Sequence, residues 1–138
     1  MVDLVASLVA LFSDDAGFTE ATGGRVFGGE LPADETASMP RRCLVVKASG
    51  GSSPLGDSYL RLDAQRVDIS AFGATVADAS ALIGLAAELL FPIQRRVSAG
   101  VLLHSVASAG GFWTGRDPQF DWPRAWRSFQ VLHSLTEV

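Results

Sequence analysis

The groups able to do chemistry in this chain are few: two histidines, one cysteine and fifteen carboxylates among 138 residues. His104 and His133 fall in different strand-like segments, and no Cys/His/Asp grouping has the spacing of a metal site. Cys43 follows Arg42, whose charge would favour a thiolate. It opens the apolar run Cys43-Leu44-Val45-Val46, however, and so reads as a small buried hydrophobe. Gly23-Gly24, Gly28-Gly29 and Gly50-Gly51 lack both the Lys-Ser/Thr of a P-loop and the strand–turn–helix setting of a dinucleotide site. Asp63 with Asp68, or Asp117 with Asp121, are the carboxylate pairs that acid–base work would use, and nothing beside them would raise one pKa. The expectation is a protein with no catalytic, cofactor or metal residues.

The aromatic residues stand out instead. Phe112, Trp113, Phe120, Trp122 and Trp126 are interleaved with Arg116, Arg124 and Arg127. Trp and Arg are the types enriched where binding energy concentrates at protein interfaces, which makes Phe112, Trp113, Arg116 and Trp122 candidate partner contacts. The same stretch could fold back over its own core, or stack on nucleic acid. The formal net charge of −4 argues against a general nucleic-acid binder. Arginine abundance adds little, because ten Arg beside one Lys and no Asn point to GC-rich coding.

Charge is unevenly spread. Residues 1–40 carry seven acids against Arg25 alone, whereas the remaining residues carry ten bases and eight acids. Such polarity suits a protein that meets its own copies or a partner through complementary surfaces, and it also fits a merely solvated acidic end.

The elements that must position these groups follow from periodicity. One domain spanning residues 1–138 is expected, large enough to bury about two-thirds of its unfolded surface without disulfide or metal. Leu4, Val5, Leu8, Val9, Leu11 and Phe12 form one helical stripe behind Asp3. Residues 2–12 have the apolar character of a signal peptide, but Asp3 stands where basic residues belong and Ser13-Asp14-Asp15 replaces a cleavage site, so an amphipathic first helix is expected. No apolar run approaches the roughly 20 residues of a membrane span, and one cysteine excludes an internal disulfide. A cytoplasmic protein, or a particle component assembled there, is the expectation.

Phe18–Gly24 reads as a loop or a short helical turn, Arg25-Val26-Phe27 as a short strand, and Glu30–Pro40 as an exposed loop. Arg42–Ser49 and Tyr59–Phe72 read as strands joined by a hairpin loop over Gly50–Asp57. Within the second of these the apolar parity switches between Ala64 and Val67, which predicts a β-bulge near Gln65-Arg66. Thr75 with Asp78 opens a helix carrying Val76, Ala79, Leu82, Ile83, Ala86 and Leu90, stopped by Pro92. Val97–Ala107 is a strand, Phe112–Trp122 a loop, and Arg124–Thr136 a strand with Phe129, Val131, His133 and Leu135 on one face. The expected fold class is α+β: an antiparallel sheet packed with two main helices in the order α-β-β-β-α-β-β.

The order of these signals resembles the tail terminator, or tail completion, proteins of long-tailed bacteriophages and related prophage particles. The resemblance is carried by Gly23-Gly24-Arg25-Val26-Phe27, by Leu31-Pro32 and Met39-Pro40, and by Leu44-Val45-Val46. It continues through Arg66-Val67-Asp68-Ile69-Ser70-Ala71-Phe72-Gly73 before the helix and Trp122-Pro123-Arg124-Ala125-Trp126-Arg127-Ser128-Phe129 at the end. These motifs are short and structural, and their order and spacing carry the likeness across nearly the whole chain. The Phe112–Trp122 segment is heavier in aromatics than the family pattern, which marks it as a partner-specific contact.

The resemblance implies a non-enzymatic virion protein at the tail–neck junction. Family members form a ring, commonly hexameric, on the head-proximal end of the tail tube; the ring stops tube polymerisation and meets the head-completion or connector protein. DNA is only passing cargo in its lumen. A head–tail connector or stopper protein of the neck shares the size and ring habit and stays open as an alternative, as does a small ligand-binding domain. For a ring, the expected contact sets the acidic segment Glu30, Asp34 and Glu35 against a neighbour's Arg41 and Arg42 or Arg95 and Arg96.

Overall fold

The computed structural model describes residues 2–52 and 62–138. Helix α1 (Leu4–Asp14) starts where Asp3 accepts a hydrogen bond from the Ala6 amide at 3.0 Å. It buries Leu4, Leu8, Leu11 and Phe12, the predicted stripe. Asp15 ends α1 and at once caps a second helix, α2 (Ala16–Thr22), its carboxylate accepting from the Phe18 amide at 2.8 Å. Phe18 is thereby buried against Phe12, with ring centroids 4.9 Å apart. Gly23, at φ +65°, closes α2 in the left-handed region that glycine adopts without penalty.

Strand β1 (Val26–Gly28) is followed by a four-residue helix, α3 (Ala33–Thr36), inside the segment read as a loop. Strands β2 (Cys43–Ser52) and β3 (Leu62–Phe72) are antiparallel neighbours. The strand β2 runs on through Gly50-Gly51, which were expected to bound it; the rest of the expected hairpin loop, and Tyr59–Arg61 of the expected strand, lie outside the described residues. Helix α4 (Val76–Leu90) is capped as anticipated, Thr75 Oγ1 accepting from the Asp78 amide at 3.1 Å. Three strands close the chain: β4 (Gln94–Ser98), β5 (Val101–Arg116) and β6 (Pro123–Ser134).

The fold is α+β, as expected. Six strands form one sheet in the order β1-β2-β3-β6-β5-β4, mixed because β1 runs parallel to β2 while the other pairs are antiparallel. Helices α1 and α4 cover one face, and the core between them and the sheet holds Leu44, Val46, Val67, Ile69, Ala71, Ala125, Phe129 and Val131, all fully buried.

Four expectations are corrected. The β3–β6 register runs unbroken from Leu62↔Ser134 to Phe72↔Arg124, so β3 has no bulge at Gln65-Arg66. The irregularity lies on its neighbour β2, where Ser49 is the extra residue opposite Arg66 and Val67. The segment Val97–Ala107 is not one strand, because Ala99 and Gly100 take φ +46° and +79° and turn the chain between β4 and β5. Positive φ at both positions of a two-residue turn marks type I′, and an alanine in the first hides that signal. Phe112–Trp122 is not one loop: β5 continues to Arg116, paired with β6. Only the following turn is irregular, organised by Asp117 accepting from the Gln119 and Phe120 amides at 3.1 and 2.8 Å. Leu135 lies beyond β6 and is 41% exposed, whereas Phe129, Val131 and His133 are buried on the face expected.

Candidate functional site

The far half of the β5–β6 hairpin carries the aromatic cluster. Trp113 stands directly across from Trp126, and Phe112 across from Arg127, so the two neighbours on β5 point to opposite faces of the sheet. The Trp113 ring lies over Gly115, where any Cβ would come within 2.8 Å of its ring carbon Cζ2. Glycine is therefore required at that position for the ring to lie flat. Trp113, Pro118, Arg124 and Trp126 line a concavity of about 430 Å³. The Arg124 guanidinium sits 6.0 Å from the ring centres of both Phe72 and Trp113, within the range of cation–π attraction. It donates to Ser70 Oγ at 2.9 Å and lies 3.8 Å from Asp117, while its Nε is buried without a partner among the described residues.

Of the four candidate partner contacts, three present themselves to solvent. Phe112 is 50% and Trp113 44% exposed, and Arg116 is held in the turn by donating to the Asp121 carbonyl at 2.8 Å. Trp122 instead folds back. It packs edge-on against Phe72 at 5.9 Å and stacks on Phe120 at 4.5 Å, joining a small cluster with Cys43, Val45, Leu31 and Met39. The fold-back reading therefore holds for Trp122, while Phe112, Trp113 and Arg116 stay on the surface.

The sheet face away from the helices carries a polar network beside that small apolar cluster. Arg66 donates to Ser128 Oγ at 3.2 Å, and Ser128 donates to Asp68, which also lies 3.5 Å from Arg66. Asp68, Ser70, Arg124, Lys47 and Trp126 contribute to a concavity of about 550 Å³ there. Sequence reasoning missed this network, although the alternation along β6 contains it: Arg124, Trp126, Ser128 and Gln130 share one parity, and Ala125, Phe129 and Val131 the other.

The seven ring-contact candidates divide cleanly. Glu35 binds Arg41 of the same chain through two hydrogen bonds of 2.7 and 2.9 Å, and this guanidinium holds the Glu35 carboxyl below its ordinary pKa. Arg42 pairs with Asp78 at 3.0 Å. Glu30, Asp34, Arg95 and Arg96 are exposed and form no ion pair among the described residues.

Cys43 and His133 are enclosed. Cys43 is fully buried with its Sγ 3.8 Å from Met39 Sδ, and burial pushes its thiol up to about 12. His133 is buried, its Nδ1 2.8 Å from the Ser134 carbonyl oxygen. Among the described residues no three His, Cys, Asp or Glu side chains gather as a metal site, and no helix is long and apolar enough to cross a membrane.

No family model matches the chain, and no curated protein matches it significantly. Its fold is similar to that of a chain in the solved virion of a native gene transfer agent particle, with a TM-score of 0.68 and 16% identity. The likeness covers 94% of this chain and 93% of that one.

Proposed function

We propose that this chain is a structural protein of a phage-like virion, a tail terminator whose ring caps the head-proximal end of the tail tube. The observation that carries the reading is the whole-chain fold likeness to a component of a gene transfer agent virion. The order of sequence motifs supports it independently, since it follows the tail terminator pattern from Gly23 to Phe129. In this role the protein works by surface complementarity and has no reaction to catalyse. Its residues contact further copies, the tube protein on one side and the head-completion or connector protein on the other. DNA crosses the lumen without being held, and a net charge of −4 suits a channel that must release a polyanion.

The aromatic end of the β5–β6 hairpin is the element proposed to grip the tube or the connector. Trp113 and Phe112 offer large, half-exposed rings on opposite faces of a paired, rigid hairpin, which lowers the entropy lost on docking. Gold labelling of this chain in purified particles tests the placement. A single labelled ring at the head-proximal end of tails, retained on tails that lack heads, is the expected result. Label that stays with the portal when heads and tails are separated would replace the terminator reading with a connector or stopper.

A further inference from the structure

We infer that the two ends of the sheet are the two halves of one contact between copies: the basic β4 flank of one subunit seats against the acidic β1 flank of the next. This rests on the ring reading above and specifies its interface.

Strand β4 ends the sheet, with β5 as its only strand neighbour among the described residues. An edge strand lying on a core alternates inward and outward residues, yet Gln94, Arg95, Arg96 and Val97 are all exposed. The cause is local. Arg95 takes φ +52°, outside the extended backbone that produces alternation, while the register stays continuous from Gln94↔Ser105 to Arg96↔Leu103. That departure from extended backbone accompanies the exposure of both guanidinium-bearing residues and of Val97, which is 55% exposed. Like-charged neighbours at an edge also block indiscriminate strand pairing.

At the other edge of the sheet, the segment after β1 carries the unpaired acids. Glu30 lies two residues beyond β1, and Asp34 follows on α3; both are exposed and without ion pairs among the described residues, whereas Glu35, Arg41 and Arg42 are already engaged within the chain. Beside them, α1 and β1 leave a mainly apolar groove of about 690 Å³ lined by Val5, Val9, Gly28 and Gly29, with Asp3 and Lys47 adding one charge of each sign. Gly28 keeps that groove open, since a Cβ there would meet Val5 at 2.9 Å. The exposed Val97 is the apolar side chain that the groove accepts, with Arg95 and Arg96 reaching Glu30 and Asp34. A two-fold pairing of β4 with itself would set four arginines together. Head-to-tail contact brings unlike ends together and closes into a ring.

The test is an assembly cycle followed by light scattering and negative-stain microscopy. One variant carries Arg95→Glu with Arg96→Glu, the other Glu30→Arg with Asp34→Arg; circular dichroism verifies that both fold. Each alone is expected to need about tenfold or more the wild-type concentration to assemble. Mixed in equal amounts they restore closed rings of alternating subunits, because every contact is then complementary. Val97→Ala, which changes no charge, also weakens assembly. Variants that assemble like wild type, or a mixture that fails to recover, overturn this contact and leave the ring intact. A wild-type chain that stays monomeric at every concentration overturns the self-assembling ring and this contact with it.

Discussion

The two faces of one sheet are put to opposite uses, and strand β6 shows this residue by residue. Its odd positions Ala125, Phe129 and Val131 are fully buried beneath the helices, while its even positions Arg124, Trp126, Ser128 and Gln130 belong to the open face. On the covered face a charge intrudes at Arg127, which stacks 4.9 Å from the Phe91 ring centre and 5.5 Å from Phe129. On the open face the side chains are held by directional pairs, Arg66–Asp68–Ser128 and Arg124–Ser70. The covered face is non-directional and supplies stability. The open face and hairpin tip, whose charges are pinned by hydrogen bonds and whose aromatics are half-exposed, supply a surface of fixed shape. A fold built this way can vary its contacts on one side without disturbing the core on the other.

The largest effect expected is on the covered face. Phe129→Ala removes a fully buried ring and should cost about 3–5 kcal/mol of unfolding free energy, read from the urea midpoint. One residue away, Ser128→Ala removes a buried hydroxyl that bridges Arg66 and Asp68, and a loss of about 1–2 kcal/mol is expected. An equal loss at the two positions would erase the distinction between the faces. Trp113→Ala, at a half-exposed ring, should lower stability by less than about 1 kcal/mol while abolishing tube capping. Normal capping by that variant would remove the hairpin from the docking surface.

The smallest effect concerns pH. Because Arg41 depresses the folded-state pKa of Glu35, their pair contributes fully above the unfolded value near 4.5 and is lost as pH falls through the lower folded value. Urea midpoints at pH 6 and pH 3 should therefore converge slightly between wild type and Glu35→Gln at the acid end. A difference that widens towards low pH would contradict the sign.

What could be read from the sequence, and what could not, follows the same division. Helices α1 and α4, the Val67-Ile69-Ala71 parity of β3 and the buried parity of β6 were legible because burial imposes a period, and Asp3 and Thr75 announced their caps. The features that escaped depend on backbone or on distant partners. Ala99 conceals a turn that its positive φ creates. Asp15 serves two helices at once, so the sequence left α2 open between a loop and a short helical turn. The strand character of Phe112–Arg116 comes from pairing with β6 and leaves no buried face to betray it. The site was legible in composition alone: the aromatic and arginine cluster was visible, but only the proximity of Phe72 decides that Trp122 turns inward while Trp113 remains outside. Likewise, spacing could not show that Glu35 is committed to Arg41 and Asp78 to Arg42, while Arg95 and Arg96 form no ion pair among the described residues.

The most direct test of the central claim is the length of tail tubes grown with and without this protein. Purified tube protein of the same particle, polymerised alone, extends until its subunits are depleted. Added after growth has begun, the wild-type chain should halt extension at a fixed length and appear as one ring on one end of each tube. Tubes that continue to lengthen at an unchanged rate, with no ring at either end, would contradict the account.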